Sequence, residues 1–439
     1  MKRSVVATFL SLSAIASCAV AAEVSVKGSV GETLTASPNL FLSTMPPGWA
    51  GQTSSTVNLD FLAATPTTRY ELNTDYSYYR YFGTGAQDIP LKYGTPADAK
   101  FSINHKEPLT NYNVFASWQR SDVATTILQQ TGTFAGKGTV DTYNAGTSIN
   151  RQLAARDLIT WSAQASTVSY TDPTQTPYFD WSSNVVWNHT VSPSTTLITT
   201  LNFDWLMVDN DADSQRLYWN PMFGVQSQLT KRLFVFADIG AGFVNAYQHG
   251  QAPSTTIVPI FGGPSLTLPG FQQQAGASRN WLADLNVNYQ LTKDTTASLT
   301  ATHAISPTVL GQLLNIETVG ASLNHRINSV SNLQTFVQFS HTKDASSPGA
   351  DASATDSFTA SATYGYDLSR EWHSSVSYSY TQSGQVEAST FVLSLRRDFN
   401  VYGKPPEQEA KTQSDLAQQN LMRAQQVVPG VALVPAYAR

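Results

Sequence analysis

Polar and apolar residues alternate with a period of two along several long segments of the chain. In the segments 281–291, 358–368 and 372–380, one set of alternate positions is mainly aliphatic or aromatic, and the other set is mainly polar. Successive side chains of a β-strand point to opposite faces of its sheet, so this pattern predicts strands with one apolar and one polar face. The segments run to about 10–15 residues, whereas strands of soluble sheets usually have about 5–6.

Short and long connections alternate between the predicted strands. The short turns share a motif of an aliphatic residue, then Ser, Thr or Asn, then a turn-forming or basic residue. The motif occurs at Val191-Ser192-Pro193, Leu229-Thr230-Lys231, Leu291-Thr292-Lys293, Ile327-Asn328-Ser329 and Leu368-Ser369-Arg370. Its spacings are 38, 62, 36 and 41 residues. They fit a hairpin plus one loop, because a tilted strand crosses a bilayer in about 9–11 residues. The widest spacing contains the segment 249–278, whose prolines predict a long loop.

The predicted positions give eighteen strands, with sixteen as the alternative count. The first pair is predicted at 32–42 and 54–64, and a long strand follows at 69–82. A further strand is predicted at 112–127. At Ser306-Pro307 the short-turn motif falls where the count requires a long connection, which leaves the local register open.

Composition agrees with a strand-rich chain and narrows the classes of partner. Aromatic residues make up 11% of the 439 residues and charged residues 13%, with a net charge of −5. Abundant aromatic and hydroxyl side chains favour strands over helices. A weakly acidic chain gives no indication of a nucleic-acid partner.

The first 22 residues have the pattern of a secretory leader. Lys2 and Arg3 precede an apolar run from 5 to 16, and Ala19-Val20-Ala21 provides small residues for cleavage. The run is shorter than the ~20 residues of a membrane helix, so export without a helical anchor is predicted. The segment 15–18 resembles a lipoprotein cleavage box, and a lipidated Cys18 is the alternative. Ordinary cleavage would leave a mature chain without cysteine.

The last alternating segment ends on an aromatic residue. Its apolar face consists of Phe391, Leu393, Leu395 and Phe399. A strand of this kind resembles the C-terminal signal by which the barrel-assembly machinery recognises outer-membrane barrels. The pattern stops after Phe399, so 400–439 is predicted to be a periplasmic tail, disordered or partly helical. A tether to a periplasmic partner or a partial plug is the alternative for this tail.

Residues 23–399 together resemble Gram-negative outer-membrane β-barrel proteins. The resemblance implies an all-β fold, a transmembrane antiparallel up-and-down barrel in the cell outer membrane, surrounded by lipid and lipopolysaccharide and needing no cofactor. The alternative is an exported β-sandwich. The strand lengths, the aromatic-rich apolar faces and the alternation of short and long connections favour the barrel. In lipid, only helices and closed barrels satisfy every backbone polar group.

The polar faces supply candidate residues for a water-filled lumen. The lumen-lining candidates are Glu71, Asp75, Asp204, Asp284, Asp367 and His373. Their charges indicate a neutral or mildly cation-tolerant lumen, since charge rings set ion selectivity. His373 and Ser375 share one strand face without a convincing third member of a hydrolytic triad, so no catalytic residue and no enzyme activity are predicted.

Three alternate aspartates are the weak candidates for a metal contact: Asp209, Asp211 and Asp213. An EF-hand loop beginning at Asp209 would need Gly at its sixth position and Glu at its twelfth. Ser214 and Asn220 stand there instead. A solvated loop is therefore the simpler interpretation, with a loose divalent contact shared with lipopolysaccharide as the alternative.

The functional prediction is a channel for passive diffusion of small hydrophilic solutes. Two alternatives remain: an export conduit or accessory barrel for a surface polysaccharide, and a structural or adhesive barrel with a blocked lumen. The segment 249–278 resembles the long loop of general porins that folds into the lumen, and a surface loop is its alternative. The turns and the 393–399 ending have a weaker likeness to barrels of exopolysaccharide or exosortase systems.

Overall fold

The structure is a computed structural model of the chain. It describes residues 23–40, 48–86, 93–123, 138–173, 175–209, 214–247, 256–258, 266–268, 278–307, 313–344, 355–384 and 386–403. The predicted leader, most of the predicted tail and most of the segment 249–278 lie outside these residues.

Eighteen long strands follow one another in chain order and form one antiparallel sheet. Strands β1 to β6 are Glu23–Ser37, Ala50–Ala64, Thr68–Phe82, Ala97–Lys106, Thr110–Asp122 and Thr139–Ala154. Strands β7 to β12 are Asp157–Tyr170, Tyr178–Ser192, Thr195–Val208, Ser214–Thr230, Leu233–Tyr247 and Ser278–Thr292. Strands β13 to β18 are Thr295–Pro307, Leu313–Arg326, Ser331–Asp344, Thr355–Asp367, Trp372–Ser383 and Val386–Tyr402. The predicted count of eighteen is confirmed.

Within the described part of the chain, four small elements lie between the long strands. Tyr93–Gly94 pairs with β3, and Thr84–Ala86 forms a 3-10 turn. Thr256–Val258 and Leu266–Leu268 pair as a small separate hairpin. Among the described residues, no helix is long and apolar enough to cross a membrane.

The first and last strands pair with each other and close the sheet into a barrel. Their register runs from Ala36 opposite Phe391 to Val26 opposite Tyr402, with an irregularity next to Val26. The ring of Phe399 lies over Gly28, where an added Cβ would be 2.5 Å from it. Closure leaves no free sheet edge, which is the condition for strands to cross a bilayer.

Turns of two to four residues join the strands at one end of the barrel, and connections of two to thirty residues join them at the other. At each of the eight short turns, the carbonyl of the last turn residue accepts an N–H from the strand that follows the hairpin. These eight hydrogen bonds have lengths of 2.7–2.9 Å. They tie each hairpin to the next around the whole rim.

The recurring turn motif has a hydrogen-bonding explanation. Its second residue accepts a backbone N–H two positions later, within the turn, in all five copies. Such local bonds are why Ser, Thr and Asn favour turns. The preceding aliphatic residues are 43–60% exposed at the edge of the apolar outer surface.

The outer surface of the barrel carries the apolar rows. Valine, leucine and isoleucine side chains such as Val57, Val319 and Ile239 are 44%, 53% and 63% exposed. By strand register, eight of the nine tryptophans face outward, and the ninth, Trp49, precedes β2. An apolar band with aromatic residues toward its edges is the lipid-facing surface of an outer-membrane barrel.

Several predicted strand boundaries were wrong. The first strand is Glu23–Ser37 rather than 32–42, because its backbone pairs with β2 from Glu23 and with β18 from Val26, and Pro38 follows without a backbone donor. The strand predicted at 112–127 ends at Asp122. Ser306 and Pro307 end β13 on the side of the long connections, so they do not form a short turn.

Candidate functional site

The strand register shows which side chains face the interior of the barrel, here called the lumen. Exposed aliphatic and aromatic residues mark the outward parity of each strand, and the alternate positions face inward. On β3, for example, Tyr76 and Tyr78 are outward at 52% and 45% exposure, and Asp75 and Ser77 are inward. The inward rows are mainly Ser, Thr, Asn, Gln and charged residues, which suits contact with water.

All six lumen-lining candidates from the sequence lie on inward positions. They are Glu71 and Asp75 on β3, Asp204 on β9, Asp284 on β12, Asp367 on β16 and His373 on β17. The fold brings Asp367 and His373 together, with Nδ1 of His373 2.6 Å from Oδ1 of Asp367. It spreads the other four around the wall.

A charged cluster lies at the short-turn end, next to the closing seam. His373 also contacts Asp398, with 3.5 Å between Nε2 and Oδ2, and Arg396 Nη2 donates to the same oxygen at 2.9 Å. The side chains of Asp367, His373, Asp398 and Arg396 are 51%, 32%, 37% and 29% exposed. These inward charges therefore remain accessible to water. The hydroxyl of Ser375, on the same strand face as His373, lies 2.7 Å from that of Ser394.

The opposite wall, formed by β8 to β12, is acidic. Its described inward positions carry four aspartates, Asp180, Asp204, Asp238 and Asp284, and one base, Arg216. Asp238 and Asp284 stand directly opposite each other on neighbouring strands. Like charges so placed repel, and their field attracts cations.

Hydroxyl groups cover the wall made by β16 to β18. The hydroxyls of Thr363 and Ser377, on neighbouring strands, form a hydrogen bond, with 2.9 Å between their oxygens. Inward Ser and Thr residues of these strands are Thr355, Ser357, Thr359, Ser361, Thr363, Ser375, Ser377, Ser379, Thr381, Ser383, Thr390 and Ser394. These two walls of the lumen therefore differ in charge: one is acidic and the other is lined by neutral hydroxyl groups.

Acidic residues outnumber basic ones on the described inward positions. The acids are Glu23, Asp60, Glu71, Asp75, Asp98, Asp180, Asp204, Asp238, Asp284, Asp367 and Asp398. The bases are Lys27, Arg69, Lys100, Lys106, Arg216, Arg326 and Arg396. Asp180, Asp238, Arg396 and Asp398 were missed as lumen candidates, although strand parity alone would have placed all four inward.

The weak metal candidates fall at a long connection. Asp209 is exposed, and its N–H donates to the carbonyl of Pro177 at 2.9 Å. Asp211 and Asp213 lie outside the described residues. Within the described part of the chain, no group of three or more His, Cys, Asp or Glu residues is arranged to hold a metal ion.

The four residues predicted as an assembly signal face outward on β18. Phe391, Leu393 and Leu395 are 48%, 45% and 40% exposed, and Phe399 covers Gly28 at the seam. The strand continues three residues beyond Phe399, to Tyr402. Recognition of these residues by an assembly machinery remains a prediction.

The closed ring, the even strand number, the apolar outer band and the short turns at one end are together the architecture of a Gram-negative outer-membrane β-barrel. The short turns, and with them the start of β1 and the end of β18, lie on the periplasmic side. The long connections lie on the extracellular side.

No protein-family model matches the chain, and no curated protein matches it. Solved structures similar in fold include OccK2 (OpdF) of Pseudomonas aeruginosa, with 9% identity over 86% of this chain and 98% of that one, at a TM-score of 0.48. A BenF-like porin from Pseudomonas fluorescens Pf-5 has 10% identity over 87% and 99%, at a TM-score of 0.47. The siderophore receptor PirA of Acinetobacter baumannii has 10% identity over 85% and 80%, at a TM-score of 0.43. These likenesses concern the fold alone.

Proposed function

We propose that the protein is an outer-membrane channel for passive diffusion of small hydrophilic solutes. The supporting observation is a ring of eighteen strands with water-accessible inward charged side chains, among them Arg69 at 39% and Asp367 at 51%. Barrels of 16–18 strands are wide enough to leave an aqueous path between their walls.

The charge distribution favours cations over anions in this channel. Inward acids exceed inward bases, and the wall of β8 to β12 carries four aspartates against Arg216. A lumen lined by one excess sign concentrates counter-ions and raises their rate of entry. The solutes are therefore expected to be neutral or cationic.

The channel is tested by recording from the refolded full chain in a planar bilayer across a KCl gradient. Discrete conductance steps with a reversal potential on the cation side are expected. A protein-free bilayer treated with the same refolding buffer is the control. Absence of steps at every voltage would eliminate the open channel and leave a barrel with a blocked lumen. Conductance steps with anion selectivity would support an open channel but refute the predicted preference for cations.

Inward aromatic rows would have supported the alternative of a polysaccharide conduit, because sugar rings stack on aromatic faces. The tryptophans of the long strands instead face outward. Inward rings such as Tyr79, Tyr81 and Tyr218 are buried at 5–9% exposure, so they offer little free surface for stacking. The loop predicted at 249–278 lies mostly outside the described residues, and its place in the lumen stays a prediction. Contacts with lipopolysaccharide likewise remain an expectation.

A further inference from the structure

Four ionisable side chains form a row on the outside of the barrel, across β13 to β16. His303 stands opposite Glu317, Glu317 opposite His341, and His341 opposite Asp356. Their parity is that of Leu299, Val319 and Phe339, which are 44–53% exposed on the outer surface. We call His303, Glu317, His341 and Asp356 the ionic row.

The ionic row alternates base and acid along its length. Nδ1 of His303 lies 3.4 Å from Oε1 of Glu317, and Nδ1 of His341 lies 2.6 Å from Oδ1 of Asp356. Lys343, also outward on β15, places its Nζ 3.7 Å from the same Glu317 oxygen. The row lies near the extracellular ends of its strands, where most other strands carry outward aromatic residues.

The acids of the ionic row are its most exposed members. The side chains of Glu317 and Asp356 are 43% and 64% exposed, whereas that of His341 is 30% exposed and that of His303 is 6% exposed beneath Trp281. Carboxylates presented outward repel the phosphate groups of lipid headgroups. Ionisable side chains at membrane depth usually face protein rather than lipid.

We infer that the ionic row is the centre of an interface between two copies of this barrel. Two upright barrels in one membrane can pair about a two-fold axis along the membrane normal, which brings one surface against itself. With the axis between β14 and β15, Glu317 of each copy faces His341 and Lys343 of the other. The two Glu317 carboxylates at the centre of the interface therefore each face two bases of the other copy.

The surface below the ionic row allows close approach of the two copies. Val319, Val337 and Phe339 are exposed at 53%, 45% and 48%, and the neighbouring outward positions include Ala301, Ala321 and Ala360. Small and aliphatic side chains let membrane-embedded surfaces pack at short distance. The interface combines a charged centre on the extracellular side with an apolar patch beneath it.

Cysteine cross-linking of the full chain in native outer membranes tests the interface. Val319→Cys lies beside the proposed axis, and the matched control Ile239→Cys is equally outward, on the distant strand β11. Copper–phenanthroline oxidation is expected to give a cross-linked dimer with Val319→Cys and not with Ile239→Cys. The unsubstituted protein, whose only cysteine is Cys18, is the control for cross-linking through that residue. Equal yields from the two cysteines would overturn the inference.

A charge exchange tests the pairing itself. In the Val319→Cys background, Glu317→His and His341→Glu each place like groups opposite each other across the axis and should lower the dimer yield several-fold. The double exchange restores an acid–base pair and should restore the yield. A double variant as poor as the single variants would refute the pairing. Absence of a dimer, together with a phosphorylated lipid that co-purifies with the unsubstituted barrel and is lost in His341→Glu, would assign the surface to lipid instead. Each variant is checked for correct folding by its resistance to unfolding in cold SDS.

Discussion

Two neighbouring residues at the middle of β2, Val57 and Asn58, lie on opposite faces of the barrel wall. Val57 is the eighth residue of the 15-residue β2 and is 44% exposed on the outside, between Val30 and Tyr76. Asn58, the next residue, faces inward opposite Asp75. Replacing each in turn with arginine places the same charge at nearly the same depth on opposite faces.

The two substitutions should differ strongly in stability. An arginine on the lipid face at the bilayer midplane costs about 2–4 kcal/mol, which lowers the folding equilibrium constant roughly 30- to 700-fold. Arginine at Asn58 enters water and can donate to Asp75, so Asn58→Arg should change the free energy of unfolding by no more than about 0.5 kcal/mol.

The free energies are measured by guanidinium titration of the refolded barrel in phosphatidylcholine vesicles. Tryptophan fluorescence reports unfolding because the tryptophans of the long strands leave lipid for water. Equal losses for Val57→Arg and Asn58→Arg, or a larger loss for Asn58→Arg, would refute the assignment of faces.

Three further predictions concern the turns and the lumen. Thr230→Val removes a hydroxyl that accepts two backbone N–H groups across its turn, and should lower the free energy of unfolding by about 1 kcal/mol, whereas Thr230→Ser should retain it. The guanidinium of Arg326, 2.6 Å from Asp294, lowers the pKa of that turn carboxyl below its usual value. This contribution to stability is present at neutral pH and lost as the pH falls through the lowered pKa. Arg326→Gln should therefore destabilise at pH 7 and match the parent in strong acid, and a difference that persists in acid would contradict this. Replacing Asp238 and Asp284 together by Asn should reduce the cation-to-anion permeability ratio obtained from reversal potentials, and an unchanged ratio would locate selectivity elsewhere.

Side-chain parity was predictable from the sequence wherever a strand alternates cleanly. The segment around Asp284 places Trp281 and Tyr289 on one face and the aspartate on the other, and the structure has them outward and inward. The repeat of short turns fixed the strand count, because each turn residue such as Thr292 marks the end of a hairpin. These features depend on neighbours along the chain.

Contacts between strands were not predictable in the same way. Asp238 stands opposite Asp284, and Asp398 lies beside His373, only because the register of each strand pair is set by turn lengths and by the stagger that closure imposes. The early part of β1 likewise depends on two partners, β2 from Glu23 and β18 from Val26, and β18 lies nearly 400 residues away along the chain. These pairings join residues that are far apart along the chain, so the local pattern of one sequence does not predict them.

Closure of the barrel is tested most directly by joining its first and last strands. Thr33 and Ser394 are directly opposite on β1 and β18, and such pairs lie within the Cα separation that a disulfide spans. Thr33 and Thr390 are offset by four residues, about 13 Å along the strand, and provide the control. On oxidation, Thr33→Cys with Ser394→Cys should give a circularised chain that migrates faster after denaturation, and Thr33→Cys with Thr390→Cys should not. No intramolecular disulfide in the first pair, or equal formation in both, would contradict a closed eighteen-strand barrel.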